Sequence, residues 1–216
     1  MSIHIVPHGR ATEHIHRGLR AFGSVETVYL LTSDAFLDTG DDLATDLDRF
    51  GYDVHRRTID AFDLRDVVDT IVDIAKENAD ATMYINITGG TNLVAGGATS
   101  SAFFVGATPY YVLEPQTGEE SIDDLVMQLP TPKQPLTFEI DGLQREVLMT
   151  VGKWDEEGRT GVIYREIGEE LGEAAQKVSY HVNRLSEQGL LETETDGRSK
   201  RVYLTDMGRL YLSWTS

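Results

Sequence analysis

The residues of this chain best suited to chemistry form one short stretch, which we call the glycine turn: Thr88, Gly89, Gly90, Thr91 and Asn92. A short apolar and β-branched segment leads into it, at residues 83–88, and predicts a buried strand of a parallel sheet. The two glycines permit a tight turn and a close approach of a ligand to the backbone. A helix that begins near Thr91 would add free N–H groups, which attract anions and phosphate above all. The glycine turn therefore predicts either a phosphate site or a simple tight turn between a strand and a helix.

A second polar group, His8, Gly9 and Arg10, follows the first predicted strand of the chain. In an open α/β sheet, ligands bind at the carboxyl ends of parallel strands, so we expect this loop and the glycine turn to open on the same edge. Arg10 would then offer a planar pair of donors to a phosphate. The alternatives are a surface ion pair of Arg10 with Glu13 or Asp34, and an ordinary loop role for His8.

Alternating strands and helices would position these two loops. The predicted strands are residues 3–7, 25–32, 52–59, 83–88, 108–113 and 125–129, with helices at 12–22, 34–50, 63–78 and from 91 onwards. Such alternation indicates right-handed βαβ units. The expected fold class is therefore α/β, with a Rossmann-like, mostly parallel sheet.

The helix after the glycine turn consists largely of small residues, among them Gly96 and Gly97. Each glycine inside a soluble helix costs about 1 kcal/mol relative to alanine. Close packing on the sheet would explain them. A close helix–helix contact across a twofold axis would explain them equally well.

Composition excludes several classes of protein. The chain has 216 residues and no cysteine, which excludes disulfides and thiolate metal sites, and the spacing of His4, His14 and His16 does not predict a metal site. No apolar run is long enough to span a membrane and no signal peptide is recognisable, so we expect a cytoplasmic protein. The formal net charge of −17, with 14 arginines and 5 lysines, is typical of a halophilic protein from a salt-loaded cytoplasm.

The chain changes character between residues 114 and 137, where four of its six prolines lie. This stretch predicts a linker and a boundary between a domain at residues 1–130 and a second domain at residues 131–216. The second domain has predicted helices at 140–154, 162–171, 174–188 and 206–214, with a β-hairpin around Asp196 and Gly197. This order is that of a winged helix-turn-helix, a small α+β domain.

Basic and polar residues suit the second domain to DNA. It holds 11 of the 19 basic residues of the chain. The candidate contacts lie on the third helix and on the wing: Gln176, Lys177, Ser179, Tyr180, Asn183, Arg184, Arg198, Lys200 and Arg201. The alternative is a winged helix that serves only as a dimerisation or protein-binding module.

Two resemblances extend these interpretations. The segments IGEELGEAAQKVSYHVNRLSEQGLL and DGRSKRVYLTDMG resemble the recognition helix and the wing of ArsR/MarR-type winged-helix transcription regulators. The motif NITGGTN at residues 86–92, with His8-Gly9-Arg10 in the first loop and a winged helix behind it, resembles the CRISPR-associated Rossmann-fold (CARF) family, in particular archaeal CARF transcription regulators. The CARF resemblance implies a homodimer that holds a cyclic oligoadenylate across its twofold axis. It implies ligand contacts at His8, Gly9, Arg10, Thr88, Gly89, Gly90, Thr91 and Asn92.

The resulting hypothesis is a ligand-responsive transcription regulator linked to CRISPR immunity. Its first domain would dimerise and sense a cyclic oligoadenylate or another nucleotide, and its second domain would bind double-stranded DNA. One alternative is a ring nuclease, in which a ribose 2′-hydroxyl of the ligand attacks and His8 is the candidate general base. The other is a constitutive dimeric DNA-binding protein without an effector. No catalytic residue, cofactor or metal site is assigned.

Overall fold

The structure, a computed structural model, describes residues 2–118, 120–132, 136–197 and 199–215. The chain divides into two compact units, Met1–Leu136 and Thr137–Ser216. The sequence placed this division near residue 131, in a proline-rich stretch of which residues 133–135 lie outside the described ranges. Among the described helices, none has the length and apolar character needed to cross a membrane.

The first unit alternates strands and helices, as predicted. Its strands are β1 (Ser2–Pro7), β2 (Thr27–Thr32), β3 (Asp53–Thr58), β4 (Thr82–Asn86), β5 (Thr108–Val112) and β6 (Val126–Gln128). Its helices are α1 (Glu13–Ala21), α2 (Leu37–Arg49, after a 3-10 turn at Asp34–Phe36), α3 (Leu64–Glu77), α4 (Asn92–Val105) and the short α5 (Ile122–Leu125).

These strands form one sheet in the order β3-β2-β1-β4-β5-β6, in which only β6 runs antiparallel to its neighbour. Apolar residues fill β1, β2 and β4, because the helices cover both faces of the centre of the sheet. The predicted α/β class is therefore confirmed. Since β1 and β4 pair in parallel, their carboxyl ends lie side by side, and the loops that follow Pro7 and Asn86 open on one edge.

The small residues of α4 have two different surroundings. A Cβ added to Gly97 would lie 3.0 Å from Leu64 Cδ1 and 3.1 Å from Val67 Cγ1, so this glycine lets α4 pack closely on α3. A Cβ added to Gly96 would meet no atom within 4 Å. Packing within the first unit therefore explains Gly97, by contact with a neighbouring helix, whereas Gly96 lies on an open face of α4.

The second unit contains α6 (Gly142–Glu156), β7 (Val162–Ile163), α7 (Tyr164–Leu171), α8 (Ala175–Glu187), β8 (Leu191–Asp196), β9 (Ser199–Leu204) and α9 (Asp206–Thr215). The three strands form an antiparallel sheet in the order β7-β9-β8. Asp141 caps α6 reciprocally with Gln144, through two hydrogen bonds of 2.8 Å. This is the predicted winged helix, with one addition: the two residues of β7, which the sequence assigned to a helix, pair with β9.

Candidate functional site

A cavity of about 650 Å³ lies at the carboxyl ends of β1 and β4. Seven of the eight residues predicted to contact a ligand line it, namely His8, Gly9, Arg10, Thr88, Gly89, Gly90 and Thr91. Asn92 is exposed and is not among the lining residues. The remaining lining residues are Ala11, Glu13, His14, Arg17, Ser33, Ala35, Phe36, Ala61, Phe62, Tyr111, Val112 and Glu114. The loops after β1 and β4 therefore meet at one cavity, where an open α/β sheet places its ligands.

The three glycines of this cavity allow the two loops to touch. Gly90 has a φ of 80°, in the left-handed region that favours glycine. A Cβ on Gly89 would overlap the carbonyl oxygen of Pro7 and lie 2.7 Å from His14 Cε1. A Cβ on Gly9 would lie 3.3 Å from the amide nitrogen of Gly90. Gly9 and Gly89 therefore keep a side chain out of a place where backbone or an imidazole lies, whereas Gly90 supplies the left-handed backbone conformation.

The side chains of the two threonines of the glycine turn form hydrogen bonds that connect the segments around the cavity. Thr91 is the N-cap of α4, where its Oγ1 accepts a hydrogen bond from the Val94 amide at 3.2 Å and donates one to the Ala61 carbonyl at 2.8 Å. Thr88 Oγ1 accepts a hydrogen bond of 2.8 Å from the Val112 amide. Thr91 thus ties α4 to the loop after β3, and Thr88 ties the glycine turn to β5.

Two arginines line the cavity without a carboxylate partner. Neither Arg10 nor Arg17 forms an ion pair of 4 Å or less with any residue that the structure describes, so Arg10 is not paired with Glu13 or Asp34. Most other arginines are paired in this acidic chain. The paired ones are Arg49, Arg56, Arg57, Arg65, Arg159, Arg165, Arg184, Arg201 and Arg209. Arg17 lies close enough to Glu13 to contribute to the lowered pKa of that carboxyl. Neither Arg10 nor Arg17 is held by a direct ion pair, so both can bind an anion that enters the cavity.

Two buried histidines also line the cavity. His8 is 4% exposed, and neither of its ring nitrogens has a hydrogen-bond partner among the described residues. His14 is 7% exposed, and its Nδ1 lies 3.4 Å from Asn86 Nδ2. Burial lowers the pKa of both imidazoles. Both rings are therefore neutral hydrogen-bonding groups near pH 7.

Sequence reasoning missed His14 and Arg17. It considered His14 only together with His4 and His16, as candidate metal ligands whose spacing does not predict a metal site. The signal that would have found both residues is helical spacing. His14 and Arg17 are three residues apart, which places them on one face of α1, and Arg10 lies in the loop that precedes this helix.

The predicted DNA-binding residues of α8 form its outer face. Gln176, Lys177, Tyr180, Asn183 and Arg184 are exposed, and Ser179 is half-buried. The opposite face is buried in the core of the second unit. Two of the cations are already paired, because Lys177 Nζ lies 2.7 Å from Glu173 Oε1 and Arg184 Nη1 lies 2.8 Å from Glu187 Oε2.

The cations of the wing differ in their hydrogen-bond and ion-pair partners. Arg201 Nε donates a hydrogen bond of 2.7 Å to Asp196 Oδ2, and its Nη1 donates one of 2.9 Å to the Gly161 carbonyl. Lys200 is exposed and forms no ion pair with a described residue. Arg198 lies outside the described residues. Arg201 therefore fastens the wing to the segment before β7, and Lys200 is the wing cation without an ion pair among the described residues.

Two family models match the chain, one for each unit. The model of the HFX_2341_N family, which describes an N-terminal domain, matches residues 2–117. A winged helix DNA-binding domain model, HTH_27, matches residues 140–208. The predicted order of a Rossmann-like domain and a winged helix is thus confirmed, and residues 140–208 are a winged helix of the DNA-binding class. No curated protein matches the chain.

Solved structures resemble the chain at low identity. Protein VC1899 from Vibrio cholerae is 10% identical with a TM-score of 0.50, and the match covers 99% of this chain and 64% of that protein. Can2 from Sulfobacillus thermosulfidooxidans, solved with cyclic tetra-adenylate, is 13% identical with a TM-score of 0.48, over 100% of this chain and 65% of Can2. The PcaV transcriptional regulator from Streptomyces coelicolor is 28% identical with a TM-score of 0.31, over 37% of this chain and 55% of PcaV.

This chain therefore spans less than two thirds of the length of each of these three proteins. The likeness to VC1899 extends over nearly the whole chain and concerns the fold alone. The family match is the stronger result, because it covers more than half of the sequence and contains both loops of the cavity. This chain belongs to the HFX_2341_N family.

Proposed function

We propose that this protein is a ligand-responsive DNA-binding regulator whose α/β unit binds a phosphate-bearing nucleotide. The nucleotide would occupy the cavity at the ends of β1 and β4, and the winged helix would bind double-stranded DNA. The ligand is a cyclic oligoadenylate or another nucleotide, as the motif at residues 86–92 suggests. A cyclic oligoadenylate would connect the protein to CRISPR immunity.

The observation that carries this proposal is the pair of arginines at the cavity, Arg10 and Arg17, neither of which forms a direct ion pair with a described residue. Arg10 and Arg17 line the same cavity as Thr91, the N-cap of α4, and the free N–H groups of a helix start favour an anion. A chain of net charge −17 pairs most of its other arginines with carboxylates, so two unpaired ones around a single cavity indicate an anionic occupant. A phosphate is the anion whose geometry fits both an arginine fork and a glycine-rich helix start.

Aromatic side chains at the rim suit the base of a nucleotide. Phe62 is 81% exposed and Tyr111 is 41% exposed, and both line the cavity. Exposed aromatic rings stack on nucleobases of any sequence. A nucleotide would therefore place its base at the aromatic rim and its phosphate near Arg10 and Arg17, although Glu13 and Glu114 also line the cavity.

A homodimer would give the regulator two winged helices. The open face of α4 carries Gly96, Ser100 and the 37% exposed Phe103. Small residues beside one exposed aromatic ring suit a close contact between two copies of the helix. Two winged helices in one dimer would bind a pseudo-palindromic DNA site. The ligand regulates DNA binding if it stabilises one arrangement of the two winged helices over another.

Calorimetry with purified protein in molar KCl tests the ligand half of this proposal. Cyclic tetra-adenylate is titrated beside linear tetra-adenylate and ATP, and the proposal predicts saturable binding of one ring per dimer. Selection of bound fragments from a random DNA pool tests the other half and should yield a symmetric site. An absence of heat with all three nucleotides would refute the sensor, and a failure to enrich any sequence would refute the regulator.

A second function, cleavage of a cyclic oligoadenylate, is favoured by one observation. His8 lines the cavity, and neither of its ring nitrogens has a partner among the described residues. Both nitrogens are buried, so the neutral imidazole would have to turn toward the ligand to remove a proton from a ribose 2′-hydroxyl. The freed oxygen would attack the adjacent phosphorus, expel the 5′-oxygen and leave a 2′,3′-cyclic phosphate. Incubation with a labelled ring tests this: linear products that His8→Ala no longer forms would support it, and an intact ring would refute it.

A further inference from the structure

In the α/β unit, a row of buried polar side chains extends from the core to the cavity. His4 Nδ1 lies 3.2 Å from Tyr110 Oη, and Asn86 Nδ2 lies 3.4 Å from His14 Nδ1. The side chains of Tyr110 and Asn86 also interact, which opposes the rise that burial causes in the pKa of Tyr110. His4, Asn86 and Tyr110 are fully buried, and His14 lies at the cavity end. His4 Nε2 has no partner among the described residues, whereas the contacts of Asn86 restrict which of its neighbours donates and which accepts.

The orientation of the Asn86 amide follows from its backbone contact. The Thr88 amide donates a hydrogen bond of 2.8 Å to Asn86 Oδ1. A backbone N–H can only donate, so the atom that faces it must be the oxygen. The NH₂ group of Asn86 therefore faces His14.

The proton of His14 follows in turn. An amide nitrogen carries two hydrogens and offers no lone pair, so His14 Nδ1 must accept from it. A neutral imidazole with an acceptor at Nδ1 carries its proton on Nε2. The hydrogen bond of His14 to the Ala11 carbonyl, which counters the effect of burial on the pKa of His14, needs a ring N–H donor. In this tautomer that donor is Nε2–H, so a ligand oxygen would share this group with the Ala11 carbonyl or replace the carbonyl as its acceptor.

The Nε2 edge of His14 lies against the glycine turn. A Cβ on Gly89 would lie 2.9 Å from His14 Nε2, so the ring occupies the space that a side chain at Gly89 would take. Gly89 and His14 both line the cavity, beside Arg17 of the next helical turn. An oxygen bound at the glycine turn would thus meet the Nε2–H group as well as the helix N-terminus.

We propose that His14 is a ligand-binding residue of this cavity, whose neutral imidazole donates a hydrogen bond from Nε2 to an anionic oxygen of the bound nucleotide, with Asn86 as its positioning residue. The inference rests on the proposed function for the identity of the ligand, whereas the tautomer is a property of the protein alone. A neutral donor adds specificity that a third cation would not, because it does not attract the abundant small anions of a salt-rich solution. Asn86 acts only through His14, since it holds the ring in the tautomer that donates into the cavity.

Nitrogen-15 NMR of protein labelled at histidine reads the tautomer directly. His14→Phe assigns the His14 signals by their loss, and the inference predicts a neutral ring protonated at Nε2 near pH 7. Asn86→Asp keeps the contact to Thr88 but places a carboxylate oxygen opposite Nδ1, so it should move a proton to Nδ1. A proton at Nδ1 in the wild-type protein, or an unchanged signal in Asn86→Asp, would overturn the positioning role.

Titration of the same sample with cyclic tetra-adenylate tests the contact. The His14 Nε2 signal should shift, and His14→Phe should weaken binding at least tenfold in calorimetry. His16→Phe on the same helix is the matched control and should bind as the wild type does. Wild-type affinity in His14→Phe would overturn the contact and leave the proposed function intact. An absence of binding by the wild type would refute the proposed function and the contact together, while the tautomer is still decided by the spectrum of the free protein.

Discussion

Gly9 and Gly90 meet backbone to backbone, so closely that a Cβ on Gly9 would lie 3.3 Å from the Gly90 amide nitrogen. One glycine follows β1 and the other follows β4, and these strands are neighbours in the sheet. The contact therefore joins the two loops that form the floor of the cavity. Both loops can reach one ligand only because no side chain separates them.

The cavity arginines should carry most of the electrostatic attraction for the ligand. We expect Arg10→Ala and Arg17→Ala each to weaken binding of cyclic tetra-adenylate by about tenfold or more, since a hydrogen bond to a charged group contributes about 1.5–3 kcal/mol. Isothermal calorimetry measures this effect. Arg20→Ala is the matched control, because Arg20 is an exposed residue of α1 outside the cavity lining. Equal losses in all three variants would indicate a general charge effect instead of a site.

The role of a residue in this site could be predicted from the sequence where its contacts are to residues nearby in the chain, and could not where its contacts are to distant ones. Local signals were sufficient for the glycine turn, for the helix that follows it and for the neighbouring loop with Arg10. The role of His14 could not be predicted in this way, because it depends on Asn86, which is 72 positions away in the chain. The glycines of α4 were likewise ambiguous until Leu64 and Val67 of α3 were seen to pack on Gly97.

The wing also shows that a role which depends on residues distant in the chain could not be predicted from the sequence. Its hairpin follows from the Asp196-Gly197 turn and from alternating residues, so its place in the chain was predictable. The role of Arg201 was not, because it depends on pairing with β7, a strand of two residues that has no sequence signature of its own. Its contact to the Gly161 carbonyl spans 40 positions of the chain.

The wing cations should therefore differ in function. Lys200→Ala should weaken binding to all DNA sequences alike and reduce the slope of log K against log salt by about one, because it removes a phosphate contact. Arg201→Ala should in addition lower the thermal stability of the protein, since it detaches the wing from Gly161. Fluorescence anisotropy at several salt concentrations, together with thermal unfolding, separates the two effects. Lys153→Ala on α6 is the control. An unchanged slope in Lys200→Ala would show that Lys200 of the wing does not contact a DNA phosphate.

The open face of α4 should mediate dimerisation. Phe103→Glu places a charge on this face and should shift the protein from dimer to monomer in sedimentation velocity. Phe50→Glu is the control, because Phe50 is 64% exposed at the end of α2, on another helix. If Phe103→Glu remains dimeric, the twofold contact lies elsewhere.

Buried histidine should make the α/β unit sensitive to acid. Burial lowers the pKa of His4 to about 4, and its ring stacks on Tyr84 with centroids 4.9 Å apart. Between pH 6.5 and 4 the unfolded chain binds a proton at this site and the folded chain does not, so the free energy of unfolding falls as the pH falls. The loss from His4 should reach about 2 kcal/mol by pH 5.

Urea unfolding at pH 7 and pH 5 measures this dependence. His4→Phe should reduce the difference between the two pH values by that amount, because phenylalanine does not titrate. His16→Phe removes a histidine outside the buried cluster and should retain the dependence of the wild type. An equal pH dependence in His4→Phe and in the wild type would show that His4 does not contribute to it.

The central claim is that a nucleotide in the α/β cavity changes how the winged helix binds DNA. The most direct test is the affinity for the selected DNA site, measured by fluorescence anisotropy in molar KCl with and without saturating cyclic tetra-adenylate. The account predicts that the ligand changes the Kd of the wild-type protein at least fivefold, in the range typical of allosteric coupling, and leaves that of the Arg10→Ala/Arg17→Ala variant unchanged. The same Kd with and without ligand, in a protein that calorimetry shows to bind the ring, would contradict it.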